Sequence, residues 1–160
     1  MVVEMSIKGL MIDPVTNMPI VILRDRDNQR ALPIWVGPVE ANAIALQIEN
    51  VAPPRPMTHD LLRNLLEELG ATLQRVVISD LQDSTFYAYL QLERGGEVMF
   101  VDARPSDALA LSLRTRAPVF VEERVLDRAR STEASTDDAD HDRLQRWLES
   151  LNPDDLGYKM

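Results

Sequence analysis

The stretch Pro38-Val-Glu-Ala-Asn-Ala-Ile-Ala-Leu46 returns 67 positions later as Pro105-Ser-Asp-Ala-Leu-Ala-Leu-Ser-Leu113. Proline, an acid, two alanines and a leucine coincide, and each copy follows an apolar, strand-like run. Proline is tolerated in a first helical turn, and an acid there meets the positive end of the helix dipole. Chance and local helix chemistry account for much of such a match, and a duplication is the expectation. Working outward from the two copies, the order is three strands and two helices, twice over. This predicts an α/β (α+β) fold in which a duplicated three-strand, two-helix unit forms one compact domain. The domain spans residues 1–130, with pseudo-repeats at about 1–70 and 71–130. Two equivalent strand-to-helix corners are then expected to face each other across a pseudo-twofold, each offering free backbone N–H groups and a carboxylate.

The individual elements follow from periodicity and punctuation. Alternating and apolar runs predict strands at 2–13, 18–25 and 30–36, and Pro33 marks the third as an edge or a bulge. Ala41, Ile44, Ala45 and Ile48 form a helical stripe that the proline-rich segment 52–56 ends. Thr58 reads as an N-cap to a second helix with the stripe Leu61, Leu62, Leu65, Leu66 and Leu69, stopped at Gly70. Strands are expected at 72–80, 85–93 and 97–102, the last two joined by the turn Arg94-Gly95-Gly96. A third helix at 105–116, a short strand at 118–121 and a helix at 122–130 complete the domain. Residues 131–140 read as a flexible acidic linker. Leu144, Trp147, Leu148 and Leu151 recur at helical spacing, so residues 141–160 are expected to form a short C-terminal helix and tail.

Composition narrows the class. The 160 residues are 45% hydrophobic, enough for one core, but only 5% aromatic, so aliphatic side chains must fill it. Cysteine is absent, which removes disulfides, thiolate metal sites and a cysteine nucleophile. No apolar run approaches the roughly 18 residues of a membrane span, and the first residues do not read as a signal peptide, so a cytoplasmic protein is expected. The net charge is −9, of which residues 131–160 carry −5. Such a balance argues against tight passive binding of nucleic acid, which rests on neutralising phosphates, but not against an enzyme that meets phosphate transiently. None of the six glycines falls into a phosphate-loop spacing.

Two constellations carry chemistry. Glu40, His59 and Asp60 lie near helix starts, where two carboxylates and an imidazole suit a divalent cation or a proton shuttle. The same acids also read simply as first-turn residues favoured by the helix dipole. A His-Asp metal phosphohydrolase is excluded, because His59 and His141 are the only histidines. The second constellation is Asp102-Ala-Arg104-Pro-Ser106-Asp107, where an arginine beside a helix N-terminus makes an anion seat. The alternative is an Arg104–Asp ion pair that staples the corner.

Three ordered motifs then resemble the bifunctional nuclease domain family, in its short bacterial form. They are Leu32-Pro-Ile-Trp-Val-Gly-Pro-Val-Glu40-Ala, Arg55-Pro-Met-Thr-His59-Asp60-Leu and Val101-Asp-Ala-Arg-Pro-Ser-Asp107-Ala-Leu-Ala. The ending Trp147-Leu-Glu-Ser-Leu-Asn-Pro-Asp-Asp-Leu-Gly-Tyr-Lys-Met160 is similar to the tail of bacterial members. The resemblance implies a homodimer, and a nuclease that hydrolyses phosphodiester bonds of RNA and DNA with low sequence specificity. Nucleic acid would then be a transient substrate and no membrane a partner. It implies Glu40, His59, Asp60 and Asp107 as catalytic residues, with Arg104, Ser106, Asn42 and Arg55 binding substrate. Glu40, Asp102 and Asp107 would hold Mg²⁺ or Mn²⁺ if the reaction is metal-assisted. The competing expectations are a non-catalytic dimeric binding or regulatory domain, in which the same residues are caps and ion pairs, and a small-anion binding protein.

Overall fold

The computed structural model describes the backbone of residues 1–135 and 158–159 and the side chains of residues 1–130. The first meander is β1 (Val2–Ile12), β2 (Pro19–Asp25) and β3 (Ala31–Trp35), followed by α1 (Pro38–Ile48) and α2 (Thr58–Glu68). The second is β4 (Thr72–Gln82), β5 (Thr85–Arg94) and β6 (Glu97–Ala103), followed by α3 (Pro105–Thr115). β7 (Val119–Glu122), α4 (Glu123–Ser135) and β8 (Tyr158–Lys159) close the order. The mixed α/β architecture expected from the repeated order is the one observed.

All strands join one sheet in the order β3-β2-β1-β7-β4-β5-β6, with β8 on β1. Each meander is antiparallel, as its short turns require. The turns carry the backbone such hairpins demand: Asp83 and Ser84, and then Gly95 and Gly96, all have positive φ. β7 is the piece that joins the halves. It runs antiparallel to β1 and parallel to β4, so it fills the gap between the two first strands. β2 is buried through Ile20, Val21, Ile22 and Leu23, which explains its unbroken apolar run. Pro33 sits on edge strand β3, where a missing N–H costs no ladder bond.

α1 packs on β1 and β2, α3 packs on β4 and β5, and the two helices pack on each other. Ile44 and Leu109 are fully buried where these layers meet. α2 packs on α3, but Leu61, Leu62, Leu65 and Leu69 of its stripe remain exposed. Trp35 is half-exposed, its indole N–H donating to Asp13 Oδ2 at 2.7 Å. One boundary needs correction. α4 continues to Ser135, five residues into the stretch read as linker. Val125 and Leu126 anchor the helix, and once it is nucleated each further residue is added cheaply. The rest of the expected linker and the C-terminal helix lie outside the described residues, except that Tyr158–Lys159 pairs with Gly9 and Leu10. Among the described residues no helix is long and apolar enough to cross a membrane.

Candidate active site

The two strand-to-helix corners are built alike. Gly37, at φ −72° and ψ 162°, is the N-cap of α1, and Arg104, at φ −69° and ψ 146°, is the N-cap of α3. They stand at equivalent positions of the repeat, and so do the first-turn acids Glu40 and Asp107. Neither helix has a side-chain cap, so the first-turn N–H groups keep their capacity to bind an anion. The corners open on one cleft of about 350 Å³, lined by Gly37, Glu40, Arg104, Ser106 and, from the β4–β5 turn and the start of β5, Ser84, Thr85 and Phe86.

Arg104 ties the halves together. Its Nη1 donates to Glu40 Oε1 at 3.2 Å, its Nε to Asp107 Oδ2 at 2.9 Å and its Nη2 to Asp107 Oδ1 at 3.3 Å. His59, from the first turn of α2, lies with Nε2 3.0 Å from Asp107 Oδ1. Glu40 lies over Gly37, where a Cβ would collide with its Oε2. One corner has no side chain where the Glu40 carboxylate lies, and the other has an arginine that holds that carboxylate. Burial alone would raise the Asp107 carboxyl, but the bonds from Arg104 and His59 outweigh it and hold the group below its ordinary value. The Arg104 guanidinium is raised in turn by its bonds to Asp107 and Glu40.

Four expected site residues, Glu40, His59, Arg104 and Asp107, therefore form one continuous array, and Glu40, Arg104 and Ser106 line the cleft. The others are placed elsewhere. Asp60, expected as catalytic, is buried beside the proline loop, outside the cleft lining. Its Oδ1 accepts from Arg114 Nε at 3.0 Å and its Oδ2 from the Met57 N–H at 3.0 Å, so both oxygens are engaged in structure. Burial raises its carboxyl, and the Met57 N–H and Arg114 bring it below the usual value. Arg114 also donates to the carbonyls of Ala110 at 2.8 Å and Ala43 at 2.9 Å, which locks α1, α2 and α3 together. Asn42 is exposed on α1, outside the cleft lining. Arg55 lines a separate open recess of about 390 Å³ beside the proline loop.

Asp102 is exposed on β6, paired in the ladder with Tyr89. The expected metal set is therefore not assembled: Glu40 and Asp107 share one guanidinium, and no group of three or more His, Asp or Glu side chains that would hold an ion is gathered among the described residues. Sequence reading missed Arg114 and the β4–β5 turn. Arg114 closes an apolar helix and pairs with a residue 54 positions away, and no local pattern marks such a partner.

The bifunctional nuclease domain family matches residues 21–134. An uncharacterized protein of Mycobacterium tuberculosis is 42% identical over 162 aligned residues, covering 96% of this chain and 97% of its own length. Bifunctional nuclease 1 of Oryza sativa subsp. indica is 25% identical over 116 residues, covering 71% of this chain and 35% of its own length. Bifunctional nuclease 2 of Oryza sativa subsp. japonica is 28% identical over 107 residues, covering 64% and 33%. The matched span runs from β2 into α4 and contains every residue of the array, and the chain belongs to the bifunctional nuclease domain family.

Proposed function

We propose that the protein is a phosphodiester hydrolase that cleaves RNA and DNA with low sequence specificity, and that the cleft between the α1 and α3 N-termini is its active site. The observation that carries this reading is the Glu40–Arg104–Asp107–His59 array, whose Glu40 and Arg104 line that cleft. The plant relatives named as nucleases support the activity. The phosphate diester enters with its charge toward Arg104 and the free N–H groups of the two first turns. Asp107 fixes the His59 ring, as a carboxylate does for an acid–base histidine. His59 then protonates the departing oxygen, and Glu40 takes the proton of the attacking water. Water adds to phosphorus as the P–O ester bond breaks, so a phosphomonoester and a free hydroxyl leave. The acidic whole makes binding weak and salt-sensitive.

The exposed apolar side chains of α2 and of edge strand β6 support a homodimer as the working form.

The test compares purified wild type with Arg104→Ala and His59→Ala on end-labelled single-stranded RNA and DNA. Each is run with Mg²⁺, with Mn²⁺ and with chelator. Both variants are expected to lose at least about 100-fold in cleavage rate while staying folded. Equal cleavage by all three proteins would remove the cleft from the reaction.

A further inference from the structure

Arg104 meets two carboxylates at once, and among the described residues no other arginine or lysine lines the cleft. One guanidinium is thus shared between Glu40 and Asp107. Its two acids are not held equally. Asp107 accepts two bonds from Arg104 and a third contact from His59, whereas Glu40 accepts a single bond from Arg104, at 3.2 Å. Glu40 is therefore the ligand that Arg104 exchanges most readily. Behind it, Ser106 is only 8% exposed, yet it lines the cleft and its hydroxyl has no hydrogen-bond partner among the described residues. A buried hydroxyl left unpaired costs stability and is uncommon in native structures. Here it stands in the first turn of uncapped α3, beside the free N–H groups of that turn. A donor hydroxyl, unpaired N–H groups and an arginine converge on one small space. Their common complement is a tetrahedral oxyanion.

We infer that the cleft is a phosphate seat completed by Ser106, and that Glu40 is its built-in competitor, occupying Arg104 until a phosphate displaces it. The inference rests on the phosphodiesterase reading and adds an order of events to it. Glu40 is freed for proton transfer only when phosphate has taken its place on Arg104. The empty protein thus holds its base in an ion pair, and inorganic phosphate competes with the nucleic acid for the same arginine.

Binding of inorganic phosphate, at fixed ionic strength, is measured by amide chemical shifts in wild type, Glu40→Gln and Ser106→Ala. Glu40→Gln keeps the side-chain shape, Ser106→Ala removes only the hydroxyl, and a thermal melt confirms folding. Glu40→Gln is expected to bind phosphate about tenfold more tightly, because a charged competitor has become neutral. Ser106→Ala is expected to bind about tenfold more weakly, because a hydrogen bond to a charged ligand is lost. Shifts are expected at Ser106 and Asp107. A short oligonucleotide without terminal phosphates is expected to compete with inorganic phosphate, which identifies the diester as using the same seat. Equal affinity in the three proteins, or weaker binding by Glu40→Gln, would overturn the inference. Its failure is separable from that of the enzyme reading. Cleavage by wild type without this affinity order sinks the exchange alone. The affinity order without cleavage sinks the hydrolase and leaves the seat.

Discussion

Two arginines on one helix show how placement decides a residue's work. Arg114 has only 3% of its side chain exposed and divides its donors among Asp60, Ala110 and Ala43. Arg104 has 63% exposed and faces solvent at the cleft mouth. Removing one partner of a buried pair leaves an uncompensated charge, so Arg114→Met should cost about 3–5 kcal/mol of stability. An exposed pair contributes little, so Arg104→Ala should cost less than about 1 kcal/mol. Urea unfolding of both variants checks this, with an unchanged slope required for the comparison. The contrast would be wrong if Arg104→Ala proved the more destabilised. Motif reading placed Asp60 beside His59 and gave them one role, because neighbours in sequence look alike in function. On a helix, adjacent residues point about 100° apart. His59 consequently joins Asp107, while Asp60 turns inward to Arg114.

At the scale of elements, the strands and helices follow from patterns that the sequence carries locally. The repeated Pro–acid–Ala segments mark the two helix starts, and Pro33 marks an edge. The strand order is less local. β7 is four residues long, and its place between β1 and β4 depends on pairing with Val2–Met5 and with Val76–Ile78, remote in the chain. The fate of the α2 leucines was also hidden, since a stripe shows that a face is apolar but not what covers it. Those leucines are exposed, as are Val98, Met99, Phe100 and Val101 of β6 at the free edge of the sheet. An apolar edge strand of this kind is a template for another strand. Phe100 is 66% exposed, with its ring edge-on to Tyr89 at 5.6 Å. Phe100→Arg should therefore convert a homodimer to monomer with little change in the monomer's own fold. Sedimentation equilibrium of wild type and variant reads this directly, and a monomeric wild type would sink the dimer.

For the whole molecule, acid is the informative stress. The carboxyls of Asp13, Asp25, Asp60 and Asp107 are all raised by burial but lowered more by the groups that bond them. Trp35 and the Val15 N–H act on Asp13, the Arg30 and Gln29 N–H groups on Asp25, and the Met57 N–H and Arg114 on Asp60. Each therefore binds its proton less readily when folded than at its ordinary value of 3.8. In that range the unfolded chain binds more protons than the native one, so stability falls as pH falls. Above that value both states are ionised and the contribution is fully present. A second effect runs the other way at milder pH. The net charge of −9 at pH 7 shrinks toward zero near the isoelectric point of about 4.7, which relieves self-repulsion. Urea midpoints should accordingly hold level or rise from pH 7 to 5 and then drop steeply below about pH 4. Asp60→Asn should be less stable than wild type at pH 7, and the gap should narrow in acid, because the wild-type carboxyl loses there the charge the variant never had. A gap that stayed constant to pH 3 would show that Asp60 stabilises the fold through packing, and not through its charge on Arg114.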